Sequence, residues 1–280
     1  MVGDHSLAGT TSLVVIGVGA HGVVALDRTT MTVLKQLHRP SESSGSDLRR
    51  EFAYLHDLSE AFRPYPWLSC PEPLEVDAEK ATLRMTYCPG TPVDDLLGRG
   101  DPVLDDHHEH VAEQVRTAVE VYVATFGEPC SSLSPANMVY DPEERVLYVY
   151  DFTKPRVFPD IDVCRHAIEV SLGCYMARVM HQTHGPRTVW NRQLRSRAER
   201  LLRSVVQPLT ARHELDHAVI LRVSRGVRSS LIQRTPLDRR PHVWTARFLW
   251  YRALGNPLAR YRERALVTLP AARHHVKVAA

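Results

Sequence analysis

The sequence predicts an α+β protein with two lobes, a strand-rich N-terminal lobe and a helical C-terminal lobe. Residues 13–37 alternate in hydrophobicity and are rich in Val and Thr, whereas from residue 105 onward the apolar residues recur at helical spacing. The chain has 280 residues, 44% of them apolar, which suits either one large domain or two lobes that share a cleft. The pattern changes at "CPGTP", residues 88–92, which is typical of a linker. We therefore expect the lobes to span residues 1–88 and 89–280.

The N-terminal lobe is predicted to contain antiparallel strands and one amphipathic helix. The helix is indicated by "DLRREFAYLHDLSEAF", whose apolar residues fall on one face and whose first residue, Asp47, is suited to be the N-cap. The apolar face comprises Leu48, Phe52, Leu55 and Leu58. The predicted elements are, in order, strands within 13–37 broken at 17–22 and near 27–30, a flexible Ser-rich loop at 40–46, the helix at 47–62, and strands at 74–76 and 82–87.

The C-terminal lobe is predicted to be mostly helical. One short strand, "VLYVYDF", follows a turn at Asp141 and Pro142. The predicted elements are helices at 105–126, 162–183, 188–206, 211–230 and 242–265, with the strand at 146–152.

Charge is distributed unevenly along the chain. Residues 1–155 carry 12 Lys and Arg against 24 Asp and Glu, a balance of −12, while residues 156–280 carry 23 against 8, a balance of +15. The basic half favours an anionic partner or an anionic membrane surface, although arginine introduced by coding bias alone explains it equally well. The five cysteines include no C-x-x-C pair, which argues against a disulfide framework or a zinc site. No apolar run approaches the roughly 20 residues of a membrane span, so we expect a cytoplasmic protein without a transmembrane segment.

A glycine-rich stretch, "GVGAHGVV", contains Gly17, Gly19, Gly22 and Val24 in the pattern G-x-G-x-x-G-x-V. Dinucleotide-binding folds use the same glycine spacing, but in those folds the third glycine opens a helix. Here a strand, a turn and another strand follow instead. The stretch therefore indicates a hairpin, either one that covers the phosphates of a nucleotide or an ordinary glycine-rich one.

A lysine and a glutamate that follow this hairpin in the chain are candidates for a buried ion pair. Lys35 ends "TVLK", thirteen residues after Gly22, and an inward-pointing lysine on a strand is costly to bury without a partner. Glu51, on the predicted helix, is the natural partner. A solvated strand lysine and a solvated helix glutamate remain the alternatives.

Two further stretches complete the set of motifs. In "LRMTYCPGTPVDDLL" a strand containing Met85 and Tyr87 leads into a Pro-Gly turn. In "CSSLSPANMVYD" Asn137 lies five residues after Ser132, and Asp151 follows fourteen residues later in "YDFT". Met85 and Tyr87 are equally suited to be core residues. A turn residue and an exposed strand-end residue are the simpler alternatives for Asn137 and Asp151.

Taken in this order, the motifs resemble those of the protein-kinase-like superfamily, nearest to aminoglycoside phosphotransferases and lipopolysaccharide-kinase relatives, over residues 13–184. The resemblance implies a two-lobed kinase-like fold that binds ATP and Mg²⁺. The implied nucleotide-binding residues are Gly17, Gly19, Gly22, Val24, Lys35, Glu51, Met85 and Tyr87, with the backbone of residues 86–88 on the adenine. The implied metal ligands are Asn137 and Asp151, and the implied catalytic residues are Lys35, Asp151 and Ser132.

The sequence departs from the kinase pattern at three positions. Cys130 stands where the catalytic loop has His, Ser132 where it has the catalytic Asp, and Thr153 where Gly follows Asp-Phe. We expect an ATP-dependent phosphotransferase that acts on a hydroxyl of a sugar or glycolipid, a small molecule or a peptide. In it Ser132 orients the acceptor, or Glu128 reaches the site from the start of the loop. One alternative is an ATP-binding pseudokinase with a regulatory or scaffolding role. The other is an enzyme that transfers the nucleotide moiety of ATP.

Two other features favour simpler interpretations. "DDHHEH" places His107 and His110 at i, i+3, but the segment heads a predicted helix and is more typical of a solvated face. An arginine series runs along one predicted helix without interleaved aromatic residues, so nucleic-acid binding is unlikely on sequence grounds. The series comprises Arg192, Arg195, Arg197, Arg200 and Arg203.

Overall fold

The computed structural model describes residues 13–18, 22–38, 42–99, 101–151, 166–183, 191–233 and 256–268. It confirms the α+β prediction, because the N-terminal part is built on an antiparallel sheet and the C-terminal part on helices. The strands are β1 Leu13–Val18, β2 Gly22–Asp27, β3 Thr32–Leu37, β4 Leu68–Ser69, β5 Pro73–Asp77, β6 Thr82–Thr86, β7 Thr91–Pro92, β8 Met138–Asp141 and β9 Val146–Val149. The helices are α1 Glu42–Phe62, α2 Val93–Arg99, α3 Pro102–Phe126, α4 Ala167–Thr183, α5 Arg192–His213, α6 His217–Gln233 and α7 Asn256–Thr268, with one 3₁₀ turn at Pro135–Asn137.

The larger sheet has five antiparallel strands in the order β1-β2-β3-β6-β5. Helix α1 follows β3 in the chain and packs on β5 and β6. Its contact face consists of Leu48, Leu55, Leu58 and Phe62, each at most 3% exposed. Burial of this apolar stripe holds the helix against the sheet, as the helical periodicity of the sequence predicts.

A smaller sheet has the order β4-β9-β8-β7 and contacts helices α1, α2 and α3. Strand β4 comes from the segment between α1 and β5, and it pairs in parallel with β9. Strand β7 comes from the predicted linker and pairs with β8. The side chain of Gln114, fully buried on α3, donates to the carbonyls of Trp67 and Arg145 and so ties this sheet to α3. The boundary between lobes at residue 88 stays a prediction.

Helix α1 begins at Glu42, so the prediction of a loop at 40–46 with Asp47 as N-cap was wrong for residues 42–46. Gly45 explains the difference. It is buried, and a Cβ at this position would lie 2.9 Å from the carbonyl oxygen of Ala78 in the turn between β5 and β6. Close packing on that turn stabilises a helical start that the Ser- and Gly-rich composition disfavours.

The predicted break between helices at 207–210 was also wrong. Helix α5 continues through Pro208 to His213 and ends at Glu214, which adopts a left-handed conformation with φ of 49° and donates its N–H to the carbonyl of Thr210. Val205, Val206 and Leu209 are fully buried, so one continuous apolar face carries the helix across the expected break. Strand β9 ends at Val149, three residues before the predicted end, while the predicted segments 162–165, 188–190 and 242–255 lie outside the described residues.

Candidate active site

Strand register brings the predicted nucleotide-binding residues into one row. Lys35 on β3 pairs with Val24 on β2, and Val24 pairs with Gly17 on β1. On the other side Lys35 pairs with Leu83 on β6, two residues before Met85. Because directly opposed residues share a face of the sheet, these side chains all lie on the face toward α1.

The ammonium group of Lys35 joins three separate elements. Its Nζ lies 2.8 Å from both carboxylate oxygens of Glu51 on α1 and 2.7 Å from Oδ1 of Asp151, which follows β9. The side chains of Lys35 and Glu51 are 15% and 6% exposed, whereas that of Asp151 is 39% exposed. The pair predicted from sequence therefore forms, and Asp151 completes it from the side that is open to solvent.

This cluster holds two carboxylates and one ammonium. Burial alone would lower the pKa of Lys35, but the charges of Glu51 and Asp151 outweigh it and raise the pKa. Burial raises the pKa of Glu51, and the charge of Asp151 adds to that rise against the opposing effect of Lys35. When both carboxylates are ionised, the cluster carries one excess negative charge, which favours the approach of a further cation.

The backbone at Asp151 is held in an unusual conformation. Its φ is 60°, in the left-handed region that residues other than Gly seldom occupy, although Asp tolerates it better than most. The preceding residue, Tyr150, anchors the segment by donating its N–H to the carbonyl of Asn137 at 3.1 Å and its hydroxyl to the carbonyl of Ala136 at 2.8 Å. Strain of this kind persists at sites where the surrounding structure requires it.

The segment 130–137 is ordered by contacts that fix Asn137. The Nδ2 of Asn137 donates to the carbonyl of Ser132 at 2.9 Å. This contact leaves the side-chain Oδ1 without a hydrogen bond among the described residues, so it can accept from or bind another group. Helix α4 holds the start of the segment, because Ser171 Oγ accepts the N–H of Cys130 and Arg178 donates to the carbonyl of Ser131, each at 2.8 Å.

Asn137 Oδ1 and the Asp151 carboxylate are the donors that Mg²⁺ prefers, namely amide and carboxylate oxygens. The described residues contain no group of three His, Cys, Asp or Glu side chains that could hold a metal by itself. The donor set fits a magnesium ion that is shared with phosphate oxygens, because Mg²⁺ is commonly held by one or two protein groups plus the substrate.

The side chains of Ser132 and Cys130 are buried, so neither is exposed as a nucleophile. Ser132 is 4% exposed and Cys130 is 1% exposed. Burial raises the pKa of the Cys130 thiol to about 12, although a hydrogen bond with Ser132 works in the opposite direction. The thiol is therefore protonated at neutral pH.

Glu128 is engaged by a tyrosine of α1. The hydroxyl of Tyr54 donates to Oε1 of Glu128. Burial and this glutamate raise the pKa of Tyr54 to about 12. The ring of Tyr54 also packs edge-on against Phe126, with centroids 4.6 Å apart. The sequence did not reveal this contact, because the two residues are 74 positions apart and neither belongs to a motif.

The predicted adenine-binding backbone has one donor to spare. The N–H of Thr86 bonds to the carbonyl of Glu72 at 2.9 Å, and the N–H of Tyr87 bonds to the carbonyl of Met31 at 3.0 Å. The N–H of Cys88 has no hydrogen bond among the described residues. Met85 is 7% exposed, and Tyr87 is half-buried and packs against the main core.

Of the glycines, Gly17 and Gly22 are described and Gly19 lies outside the described residues, as do Phe152 and Thr153. Gly22 begins β2, and a Cβ there would lie 2.3 Å from the carbonyl oxygen of Gln36. The third glycine of the motif is therefore required by the close approach of β2 and β3.

One carboxylate beside the site was not singled out from the sequence. Asp94 lies on α2, which packs against the 3₁₀ turn at 135–137. Burial raises the pKa of Asp94, with a further contribution from Asp95, and its charge acts on the hydroxyl of Tyr150. The acidic pair was visible in the sequence, but its closeness to this loop depends on tertiary packing.

The histidines of "DDHHEH" have separate partners. His107 Nδ1 hydrogen-bonds to the hydroxyl of Tyr140 at 2.6 Å, and His110 Nε2 hydrogen-bonds to the carbonyl of Arg145 at 3.1 Å. The pair therefore contributes to packing of α3 on the small sheet.

Part of the arginine series on α5 is neutralised by acids of α3. Arg197 donates two hydrogen bonds to Oδ2 of Asp105, at 2.9 and 2.6 Å, and Arg200 lies 3.5 Å from the same carboxylate. Arg192 and Arg203 are exposed. The basic character of this helix is therefore partly structural.

No family model matches the chain, and no curated protein matches it. Among solved structures it is similar to the kinase domain of PknI from Mycobacterium tuberculosis, at 19% identity and a TM-score of 0.40. The likeness covers 60% of this chain and 73% of that one. A likeness at this score carries no functional argument. None of the described helices is long and apolar enough to cross a membrane.

Proposed function

We propose that the protein binds Mg-ATP between its two lobes and transfers the γ-phosphoryl group to a hydroxyl of an acceptor. The observation that carries the proposal is the position of the Lys35 ammonium, between Glu51 on α1 and Asp151 after β9. A lysine held in this way is positioned to neutralise phosphate charge, and the two carboxylates keep it protonated at neutral pH.

The residues that would hold the metal are Asn137 and Asp151. When bound, Mg²⁺ would neutralise negative charge on the phosphates. Asn137 presents Oδ1 because its Nδ2 is already committed to Ser132. Asp151 is the more exposed of the two carboxylates at Lys35, and is therefore the one that a ligand can reach.

The nucleotide base would lie against the strands of the large sheet. Cys88 N–H is the donor that remains for adenine, Met85 and Val24 supply apolar contacts, and Tyr87 flanks the linker. The hairpin that contains Gly17, Gly19 and Gly22 would cover the phosphates. This arrangement uses backbone groups and apolar surface for the base and reserves the charged residues for the phosphates.

Proton transfer from the acceptor is the weakest part of this site. Ser132 has replaced the usual carboxylate and is buried against Cys130, and the carboxylate of Glu128 accepts from Tyr54. A positioned general base contributes about 10²- to 10⁴-fold. Positioning and charge neutralisation carry most phosphoryl transfer, so the enzyme is expected to be slow but active.

The acceptor class is proposed as a sugar or glycolipid first, then a small molecule, then a peptide hydroxyl. The exposed arginines of α5, among them Arg192 and Arg203, would attract an anionic acceptor or an anionic membrane surface. Nucleic acid is a poorer candidate, because much of the guanidinium charge on α5 is already paired. Cys70, Cys88, Cys130 and Cys174 form no disulfide in the described part of the chain, which fits the proposed location in the reducing cytoplasm.

The test begins with nucleotide binding. ATP with magnesium should raise the melting temperature by mass action, and Lys35→Ala should remove most of that rise. Purified protein is then incubated with ATP and a panel of sugars, lipopolysaccharide fragments and peptides, and the products are weighed by mass spectrometry.

A gain of one phosphate supports the proposal, and a gain of AMP would replace it with nucleotide transfer. ATP binding with neither product, and with no hydrolysis of ATP to ADP, would make the protein a pseudokinase. Calorimetry that shows no ATP binding at millimolar concentration would overturn the proposal altogether.

A further inference from the structure

Helix α1 carries Glu51, so the position of this helix decides whether Lys35 is held. Besides the hydrogen bonds from Lys35 to Glu51, the helix is held on the sheet by apolar packing through Leu48, Leu55 and Leu58. Apolar contacts are not directional. A second directional contact on α1 would therefore help to hold Glu51 within hydrogen-bond distance of Lys35.

Tyr54 makes such a contact. It lies three residues after Glu51, which places both side chains on neighbouring positions of the same helix surface. Its hydroxyl donates to Oε1 of Glu128. Its ring packs edge-on against Phe126 at 4.6 Å and Tyr122 at 6.4 Å, so the hydroxyl is aimed by two aromatic neighbours.

Glu128 is a fixed acceptor because the backbone on both sides of it is restrained. Gly127 ends α3 in a left-handed conformation with φ of 67° and donates its N–H to the carbonyl of Val123. Pro129 follows, with the restricted φ of proline, and leads to Cys130, whose N–H is held by Ser171 on α4. The backbone that carries Glu128 is therefore held close to the segment 130–137.

We propose that Tyr54 is a positioning residue, whose hydrogen bond to Glu128 sets α1 against the segment 130–137 and thereby sets Glu51 on Lys35. The helix and the segment that carries Asn137 then move as one unit. The inference rests on the proposed function for its turnover measurements, but its measurements of backbone exchange are independent of any activity.

The first experiment compares amide hydrogen exchange in the whole protein and in Tyr54→Phe, without nucleotide. The variant keeps the ring and loses only the hydroxyl. Amides of residues 47–58 should exchange about tenfold faster, as expected for the loss of a hydrogen bond to a charged acceptor. Exchange in α4, residues 167–183, should not change. Tyr65→Phe is the matched control, because this tyrosine lies just beyond α1 and its hydroxyl makes no hydrogen bond among the described residues.

The second experiment separates positioning from general structure. Glu128→Gln keeps the accepting Oε1 and should retain most of the wild-type protection of α1, whereas Glu128→Ala should accelerate exchange of α1 at least as much as Tyr54→Phe, because it also removes a hydrogen bond between Glu128 and Tyr122. The double variant Tyr54→Phe, Glu128→Ala should be no worse than Glu128→Ala alone, because the contact of Tyr54 is already lost in that single variant. With an acceptor in hand, kcat should fall about tenfold while the KM for ATP stays within about twofold, since positioning is needed most in the transition state.

The inference would be overturned if the amides of α1 exchanged at the wild-type rate in both Tyr54→Phe and Glu128→Ala. Equal acceleration of exchange in α1 and α4 would also overturn it, because it would show a general loss of stability. If no phosphoryl transfer is found but exchange in the variants is faster only in α1, the proposed function is wrong. The positioning contact between Tyr54 and Glu128 is then still supported.

Discussion

Replacement of Lys35 by methionine removes the only ammonium that the described structure places between Glu51 and Asp151. Methionine matches the length of the lysine stem, so packing beside β2 and β6 is largely kept. At 2.8 Å and an effective dielectric constant of about 20, the attraction between Lys35 and Glu51 is about 6 kcal/mol, and desolvation of both groups cancels part of it. Breaking a buried pair usually costs about 3–5 kcal/mol. We expect about 3 kcal/mol here at pH 8, because Asp151 is 39% exposed and water can solvate it.

The pH dependence of this loss has a definite sign. Glu51 is 5% exposed, and without Lys35 its pKa rises further above its unfolded value. When the pKa of a carboxyl group is higher in the folded than in the unfolded state, the protein is most stable below the unfolded pKa, about 4.3 for Glu. The free energy of unfolding then falls as the pH rises toward the folded pKa. Lys35 itself has a raised pKa, so the stability it contributes to the wild type is fully present below about 10.5 and is lost only above it. The variant should therefore be more stable at pH 5 than at pH 8, with a steeper slope than the wild type.

Urea denaturation at pH 5 and pH 8, followed by circular dichroism, measures both effects. The double variant Lys35→Met, Glu51→Gln is the control: it replaces the ion pair by a neutral one and should recover about 1–3 kcal/mol at pH 8, since the carboxylate left buried by the single variant is gone. If Lys35→Met shows the wild-type pH slope and the double variant is no more stable than the single one, Glu51 does not depend on Lys35, and the electrostatic account of the site is refuted.

The remaining predictions concern the acceptor loop and the hairpin. Asp151→Asn should remove nearly all turnover, whereas Ser132→Ala should cost about tenfold or less, the scale of one modest hydrogen bond, because Ser132 is buried. Equal losses in these two variants, measured as phosphate transferred per minute, would contradict these roles. Gly22→Ala should lower the free energy of unfolding by roughly 1–3 kcal/mol and reduce ATP binding, because its Cβ would lie 2.3 Å from the carbonyl oxygen of Gln36. Gly17→Ala, whose nearest contact is an ordinary 3.7 Å, should leave stability nearly unchanged, and thermal denaturation that ranks the two variants in the reverse order would show that the hairpin is not as tightly packed as described.

The sequence predicted the α+β arrangement and the pairing of Lys35 with Glu51, because both are encoded by local periodicity and by the order of motifs. Sixteen residues separate this pair, and one strand register with one helix face suffices to bring them together. Asp151 was predicted as a metal ligand, but its contact with Lys35 spans 116 residues and needed the tertiary structure.

What the sequence did not reveal depends on packing between distant segments. The early start of α1 depends on Gly45 fitting against Ala78, and the contact of Tyr54 with Glu128 joins two residues without a motif. The continuation of α5 through Pro208 reflects burial of one apolar face, which outweighs a local helix-breaking signal. In each case tertiary contacts override a local preference, and local preference is all that a single sequence displays.

The small sheet limits how the large sheet can move relative to it. Strands β4 and β7 are its two edge strands, and β5 and β6 of the large sheet lie between them in the chain, so that segment is joined to the small sheet at two places separated by three inter-strand spacings, roughly 14 Å at about 4.8 Å each. Two attachment points define an axis, and a body attached at both can rotate about that axis but resists twisting and sideways shear. The salt bridge between Lys35, on the large sheet, and Asp151, which follows β9 of the small sheet, is a third and non-covalent connection between the two sheets. A rotation that moves the two sheets apart at this point must break it.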